Sequence, residues 1–291
     1  MIARLRAVAG RLALLAVVSS TLLVPAPALA QTKIRVGWCA KTISSAATPF
    51  AVAAKMGWNK QDGIEVELVP LAGSGDCTKT VVTKEVLFAL PSVEPLAAAR
   101  PQGVKAKIFY TAYQGNIYGI AVPVDSPVHK MTDLKGKTIG VISMGSAGVQ
   151  IAKALAATSG MDPNSDINVV VAGEGAQTAA MVRGKQVDAL SQFDTQYAMV
   201  ENAGVKLRVL DTKDIDRYPS NGLLALEETL RTRPNDAAAV ARGYARARSS
   251  RSTIRRRRCG SCTRCTRRPS PPARTRPPRS GTTSGSSRRA S

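Results

Sequence analysis

Val66–Ser92, VELVPLAGSGDCTKTVVTKEVLFALPS, and Asn168–Asp194, NVVVAGEGAQTAAMVRGKQVDALSQFD, carry one plan twice. In each, an apolar strand meets a Gly-x-Gly turn, Gly73-Ser74-Gly75 or Gly173-Glu174-Gly175. A helix follows, then a turn containing Lys84 or Lys185, then a Val leading to Ala89-Leu90 or Ala189-Leu190. Short apolar runs alternating with helical ones are the pattern of βαβ units and parallel sheets. Any two βαβ units look broadly alike; the shared placement of Gly-x-Gly is what points to two lobes of one architecture.

Outward from the first copy, strands are expected at Lys33–Trp38, Ile64–Pro70, Val86–Leu90 and Lys107–Tyr113, with helices over Thr48–Gly57, Cys77–Lys84 and Val93–Ala99. The second copy extends to strands at Tyr118–Pro123, Lys137–Ser143, Ile167–Ala172, Val187–Ser191 and Lys206–Leu210. Its helices are Ala147–Ser159, Ala176–Arg183 and Phe193–Asn202. A strand at Asn221–Leu226 comes after it. Asp236–Arg248 then reads as a helix, with Ala237, Val240, Ala241, Tyr244 and Ala245 on one face. A strand and helix returning after the second lobe imply that it is inserted into the first. The expected division is lobe 1 over 31–112 and 222–248, and lobe 2 over 113–221. Two crossings, near Ala112–Ile117 and Asp211–Asn221, make a hinge.

The net charge of +21 on 291 residues first suggests a nucleic-acid binder, but its position argues otherwise. Thirteen Arg, with no Asp, Glu or Lys, fall in 249–291, and Arg4, Arg6 and Arg11 lie in the first thirty residues. Removing these sixteen charges leaves +5 for 31–248, ordinary for a soluble body of that size. Residues 1–30 read as an export signal. A basic start precedes the apolar Leu12–Val24, Pro25 and Pro27 follow, and Ala28-Leu29-Ala30 is a cleavage pattern before Gln31. The mature protein is expected in the periplasm, cleaved after Ala30, in a compartment that permits disulfides. Cys39 and Cys77 follow the first two strands and are expected to pair there.

The chain resembles the periplasmic substrate-binding proteins of ABC importers, type II. It is most similar to the group of nitrate, sulfonate and taurine binders (SsuA-like) and thiamine-pyrimidine binders (NMT1/THI5-like). The residues that carry the resemblance are Lys33–Trp38, Phe88-Ala89-Leu90-Pro91-Ser92, Asp133-Leu134-Lys135-Gly136-Lys137-Thr138-Ile139-Gly140-Val141, Gly145-Ser146 and Val187-Asp188-Ala189-Leu190. It implies an α/β fold of two lobes, each a mostly parallel sheet flanked by helices. It also implies capture of a small solute between hinged lobes and delivery to the transmembrane subunits of a permease.

In open parallel sheets, ligands sit beyond the carboxyl ends of strands. The polar turns there hold Lys41, Thr42 and Ser44; Asp76; Ser92 and Glu94; Gly145 and Ser146; Glu174; and Gln192 and Asp194, with Asn116 at a crossing. These twelve are the candidate ligand residues. Ser92 and Ser146 stand at helix starts, where backbone N–H groups point outward and the hydroxyl is free to cap. Lys41 is the one cation in these turns, against Asp76, Glu94, Glu174 and Asp194, and no Arg fork for a strong anion is present. The balance tilts towards a pyrimidine- or amine-like molecule over a sulfonate or nitrate.

No catalytic set, metal site or cofactor motif emerges, so a non-enzymatic monomer without cofactor is expected. The single His, His129, sits in a Pro-flanked turn. From Ser249 onward the chain has one Ile and no other large apolar residue, a composition expected to be disordered. Cys259, Cys262 and Cys265 lack a fourth metal ligand nearby. Its Arg, Pro, Ser and Thr bias reads as a frameshift of a GC-rich coding region. The alternative is a basic protein acting through this tail on nucleic acid or an anionic surface.

Overall fold

The computed structural model describes residues 31–212 and 215–260, the last ten by backbone alone. The expected signal at 1–30, with its cleavage point, and the tail at 261–291 lie outside the described residues. By its contacts the chain divides into two units, 1–248 and 249–291.

The first half of unit 1 runs β1 (Thr32–Trp38), α1 (Thr48–Lys55), α2 (Trp58–Gln61), β2 (Ile64–Pro70), α3 (Ser74–Val82), β3 (Phe88–Ala89), α4 (Val93–Ala99) and β4 (Ala106–Thr111). The second runs β5 (Tyr118–Pro123), β6 (Lys137–Val141), α5 (Ala147–Thr158), β7 (Ile167–Val171), α6 (Ala176–Arg183), β8 (Ala189–Phe193), α7 (Asp194–Asn202) and β9 (Leu207–Val209). The chain then returns through β10 (Gly222–Leu226), α8 (Glu227–Thr232) and α9 (Pro234–Gly260).

The strands form two five-stranded sheets, ordered β2-β1-β3-β10-β4 and β7-β6-β8-β5-β9. The orders superimpose: in each, four strands run one way and the fourth position is antiparallel to both neighbours. That reversed strand is β10 in one sheet and β5 in the other, each the first strand after a crossing between the sheets. The sheets are therefore mixed in a defined way, more so than a reading of simple βαβ units suggests. The two crossings run side by side. The N–H groups of Ala112 and Tyr113 both donate to Asn221 O at 3.0 Å, and Ser220 N–H donates to Tyr113 O at 3.1 Å.

Duplication extends to the helix ends. α3 and α6 both stop at a non-glycine residue in the left-handed region, Lys84 at φ 62° and Lys185 at φ 54°. Lys84 N–H reaches Val81 O and Glu85 N–H reaches Thr80 O, at 3.1 and 2.9 Å. Lys185 to Val182 and Gln186 to Met181, at 3.0 and 2.9 Å, repeat the pattern. This double bond from the residues past the helix satisfies the last orphan carbonyls.

One apolar core runs through both sheets, from Ile34, Val36 and Phe88 to Ile120 and Ile139. Separate layers lie under α3 (Cys77, Val81, Leu224) and under α6 (Ala179, Leu190, Val200). The N-terminal half of α9 closes the first lobe through Tyr244, whose ring meets Phe50 at 4.9 Å and Tyr110 at 5.8 Å.

Two expectations are corrected. α3 begins at Ser74, not Cys77, so Gly75 and Asp76 belong to its first turn. A Gly reads as a turn residue, yet one Gly at a helix start costs little when packing holds it. Helical backbone also continues beyond Arg248 to Gly260, where disorder was expected. Arg is a good helix former, and the first Pro after 248 is Pro269, so nothing local breaks the helix.

Candidate ligand-binding cleft

The turns at the strand ends of the two lobes meet along a seam. Glu174, from the turn before α6, accepts Lys41 N–H on one carboxylate oxygen at 3.1 Å and Thr42 N–H on the other at 3.2 Å. Gly75 N–H, in α3, donates to Gly145 O at 2.8 Å, and the Ser143 hydroxyl donates to Ala72 O. Approach here is close enough to require glycine. A Cβ on Gly75 would lie 2.9 Å from Gly145 O, and one on Gly145 would lie 3.0 Å from the Asp76 carboxylate. Both contacts have backbone or charge on the far side, so the seam describes a closed arrangement of the lobes.

A disulfide, with Cα atoms 5.7 Å apart, joins Cys39 to Cys77 behind the seam. It ties the end of β1, two residues before Lys41, to α3, two residues after Gly75. The two stretches of lobe 1 that touch lobe 2 are thus covalently held to each other.

Next to the crossings the lobes enclose a cavity of about 30 Å³, enough for one or two waters as closed here. Trp38, Cys39 and Leu90 line it from the first lobe, and Tyr113, Tyr118 and Phe193 from the crossing and the second. Tyr118 and Phe193 pack edge to face at 5.6 Å, and Trp38 Nε1 donates to Thr42 O at 3.0 Å, anchoring the ring to the Lys41–Thr42 turn. None of these aromatic residues was among the twelve expected. The available signal was composition: with two Trp, six Tyr and four Phe in the chain, aromatic residues at strand ends and crossings stand out.

Beside the cavity lies a polar group. Ser92 N–H donates to Ser74 Oγ at 3.1 Å; burial, helped by the charges of Glu94 and Asp194, pushes Tyr118 up to about 12 against the opposing pull of the Ser74 and Ser92 hydroxyls. Burial also raises Glu94, and the Ser92 hydroxyl and its own amide offset only part of that. Several buried side-chain atoms here have no hydrogen-bond partner of good geometry: Ser92 Oγ, Glu94 Oε2, Gln192 Oε1, Thr195 Oγ1 and both amide atoms of Gln196. Native interiors leave few such atoms without a protein or water partner.

The twelve expected residues have different fates. The fully buried Ser92 and the half-buried Glu94 belong to this group. Glu174, Lys41, Thr42, Asp76 and Gly145 make the seam between lobes, with Glu174 occupied by two backbone amides. Ser146 caps α5 by accepting Gly148 N–H at 3.2 Å, and Ser44 caps a short turn through Ala46 N–H at 3.4 Å. Ser92, by contrast, makes no capping bond to α4. Gln192 is fully buried, its amide donating to Gly173 O at 3.1 Å. Asn116 accepts Tyr118 N–H at 2.9 Å, and Asp194 accepts Thr195 N–H at 2.6 Å. Both line an open groove of about 350 Å³ beside the enclosed cavity and do not line that cavity. Among the described residues no cluster of His, Cys, Asp and Glu is arranged to hold a metal, and no helix is long and apolar enough to cross a membrane.

Two α/β lobes with the same strand order, joined by paired crossings around a cleft, define the fold of periplasmic solute-binding proteins. The chain belongs to the NMT1/THI5-like family, whose model matches residues 44–250. It is 29% identical over 190 residues to the riboflavin-binding protein RibY of Chloroflexus aurantiacus, covering 64% of this chain and 53% of RibY. The chain thus spans about half the length of that curated relative. Among solved structures, the alkanesulfonate-binding protein SsuA of Xanthomonas axonopodis pv. citri, bound to MOPS, matches with TM-score 0.59 at 18% identity, covering 79% of this chain and 80% of that one. The nitrate-binding protein NrtA of Synechocystis PCC 6803 matches with TM-score 0.60 at 18% identity, covering 75% and 62%. At these identities the structural likeness speaks to the fold.

Proposed function

We propose that this chain is the solute-capturing component of an ABC importer, working in the periplasm after cleavage at Ala30 and handing its cargo to permease subunits. It acts as a monomer without catalysis or cofactor. The cargo is a small organic molecule, pyrimidine- or amine-like or sulfonate- or nitrate-like, held between the lobes. The observation that carries the reading is the aromatic-lined cavity enclosed between the lobes beside the crossings. The family, and the names of RibY, SsuA and NrtA as binding proteins, support it.

Hinged capture follows from where the contacts lie. A solute touching Trp38 and Ser92 on one lobe and Tyr118 and Phe193 on the other gains its full set only when the lobes close. Its binding then favours the closed state by the difference in affinity between the two. A thermal-shift screen of pyrimidines, flavins, amines, sulfonates and nitrate tests this: one class is expected to raise the melting temperature saturably. A folded protein that responds to none would overturn the reading.

A further inference from the structure

The two ends of the Cys39–Cys77 disulfide have unlike surroundings. Cys77 has no surface exposed to solvent and lies in an apolar layer with Val81, Ala89 and Leu224. Cys39 keeps 9% of its surface and lines the cavity between the lobes, whose far wall holds Tyr118 and Phe193 of the second lobe. Exchange with a thiol needs a thiolate to reach one of the two sulfurs. The cavity wall is the approach that the structure offers, and at about 30 Å³ it admits water but no thiol reagent while the lobes are closed. The bond also joins the two stretches of lobe 1 that meet lobe 2. Lys41 and Thr42, just past Cys39, give their N–H groups to Glu174, and Gly75, just before Cys77, gives its own to Gly145 O. With the bond intact these stretches move as one. Without it, closure has to order each of them separately, a cost that preorganisation removes.

We infer that Cys39 is a thiol–disulfide exchange site gated by the hinge, shielded when the lobes are closed and open to a dithiol when they part. In the first step a thiolate of the dithiol bonds to Cys39 Sγ. The bond between the two Sγ atoms breaks, and its electron pair leaves on Cys77 Sγ, which takes up a proton. Cys77 lies near the start of α3, where the helix dipole favours the departing thiolate, and its apolar layer then favours the neutral thiol. In the second step the other thiolate of the dithiol attacks the dithiol's own sulfur in the mixed disulfide, and Cys39 leaves and is protonated. Two electrons and two protons pass to the protein, and the dithiol becomes a disulfide. The coupling runs both ways: closure protects the bond, and loss of the bond favours the open form. The exchange site needs lobes that part but no particular solute, so it goes beyond the importer reading.

The test follows reduction of the full chain by dithiothreitol well below its melting temperature, with acid quenching and thiols mapped by mass. Gly75→Ala, whose Cβ meets Gly145 O on closure, is expected to be reduced roughly tenfold faster than the native protein. Glu174→Ala, which removes the acceptor of two amides across the seam, serves as a second opening variant and is expected to act alike. Ile64→Val lies at the far end of the β1–β2 pair from the disulfide; it raises the unfolded population several-fold and is expected to leave the rate unchanged. Single-cysteine proteins locate the reactive sulfur. Treated with cystamine while folded, Cys39 in Cys77→Ala is expected to form its mixed disulfide at least roughly tenfold faster than Cys77 in Cys39→Ala. Equal reduction rates in the native protein and both opening variants would overturn the inference, as would the faster reaction at Cys77. Acceleration by Ile64→Val as large as that of the opening variants would also overturn it, because reduction then passes through unfolding. All of these results leave the importer reading intact, which fails instead when the folded protein responds to no solute in the thermal screen.

Discussion

The two lobes share a strand order and a helix stop yet are assembled differently. Lobe 2 is continuous from β5 to β9. Lobe 1 is interrupted: β4 ends at Thr111 and its sheet partner β10 starts at Gly222, with the whole second lobe between them. Closing so long a loop costs chain entropy before any contact repays it. The interrupted lobe is also the one with a covalent staple. Counted back from the shared stops at Lys84 and Lys185, Cys77 of α3 corresponds to Thr178 of α6. Where Cys77 is bonded to Cys39, the buried Thr178 hydroxyl bonds the carbonyls of Ala172 and Gly173, at 3.2 and 2.8 Å. One lobe fixes its helix to the strand end by sulfur and the other by a hydrogen bond. The lesson is that a duplicated architecture can spend its strongest tether on the discontinuous copy.

The largest break in this comparison is removal of the staple. Replacing both Cys39 and Cys77 by Ala is expected to cost about 3–4 kcal/mol of stability in the chain-entropy picture. Hydrogen exchange should lose protection in β1, β2 and α3 first, while β6 and β7 keep theirs; equal loss in both lobes would contradict the assignment. The matching change in lobe 2, Thr178→Val, keeps the volume but removes the buried hydroxyl, costing about 1–2 kcal/mol by denaturant titration.

At the helix stops the lobes should respond alike. Lys84→Gly and Lys185→Gly each relieve a left-handed non-glycine residue and are expected to stabilise by about 0.5–1 kcal/mol. A response in one lobe only would show that the two turns are not equivalent.

At the seam, Gly75→Ala separates closure from folding. Alanine in α3 is the better helix former, by about 0.5–1 kcal/mol, but its Cβ meets Gly145 O when the lobes close. The expected result is an unchanged or higher melting temperature with a larger radius in small-angle scattering and weaker solute binding.

Glu94 adds a pH dependence in the acid range from lobe 1 at the cleft. Its folded pKa lies above its unfolded value, so its contribution is most favourable at low pH and is lost as pH climbs from the ordinary carboxylate range through that raised value. Glu94→Gln should remove this downward step in a melting-temperature profile of the unliganded protein, and a profile unchanged by the substitution would place the step elsewhere.

Much of this organisation was legible in the residues. The bounds of β2, α4, β5 and α6 follow directly from Pro and Gly punctuation and from apolar runs of the right length, because those signals are local. The shared Gly-x-Gly turns also announced the duplication. The start of α3 was hidden by Gly75, whose glycine is there for the approach of Gly145 across the seam and not for a turn. That reason exists only once the lobes are packed. The site divided the same way. Ser92 and Glu94 follow a strand and were readable from chain order. Trp38, Tyr118 and Phe193 look like ordinary strand apolars until the crossings bring both sheets' ends together. Glu174 looked like a ligand group, and its engagement by Lys41 and Thr42 depends on contacts across about 130 residues.

The central claim, capture of a solute by closure of two lobes, is tested most directly by the distance between them. Fluorophores introduced at exposed Lys60 and Ala154, through non-cysteine chemistry that leaves the disulfide intact, report it by energy transfer on single molecules. Lobes that close on a solute should give a mixture of long and short distances without solute, collapsing to the short one as solute saturates, and a shift to the long one in Gly75→Ala. A distance distribution that stays the same when a solute binds would contradict it.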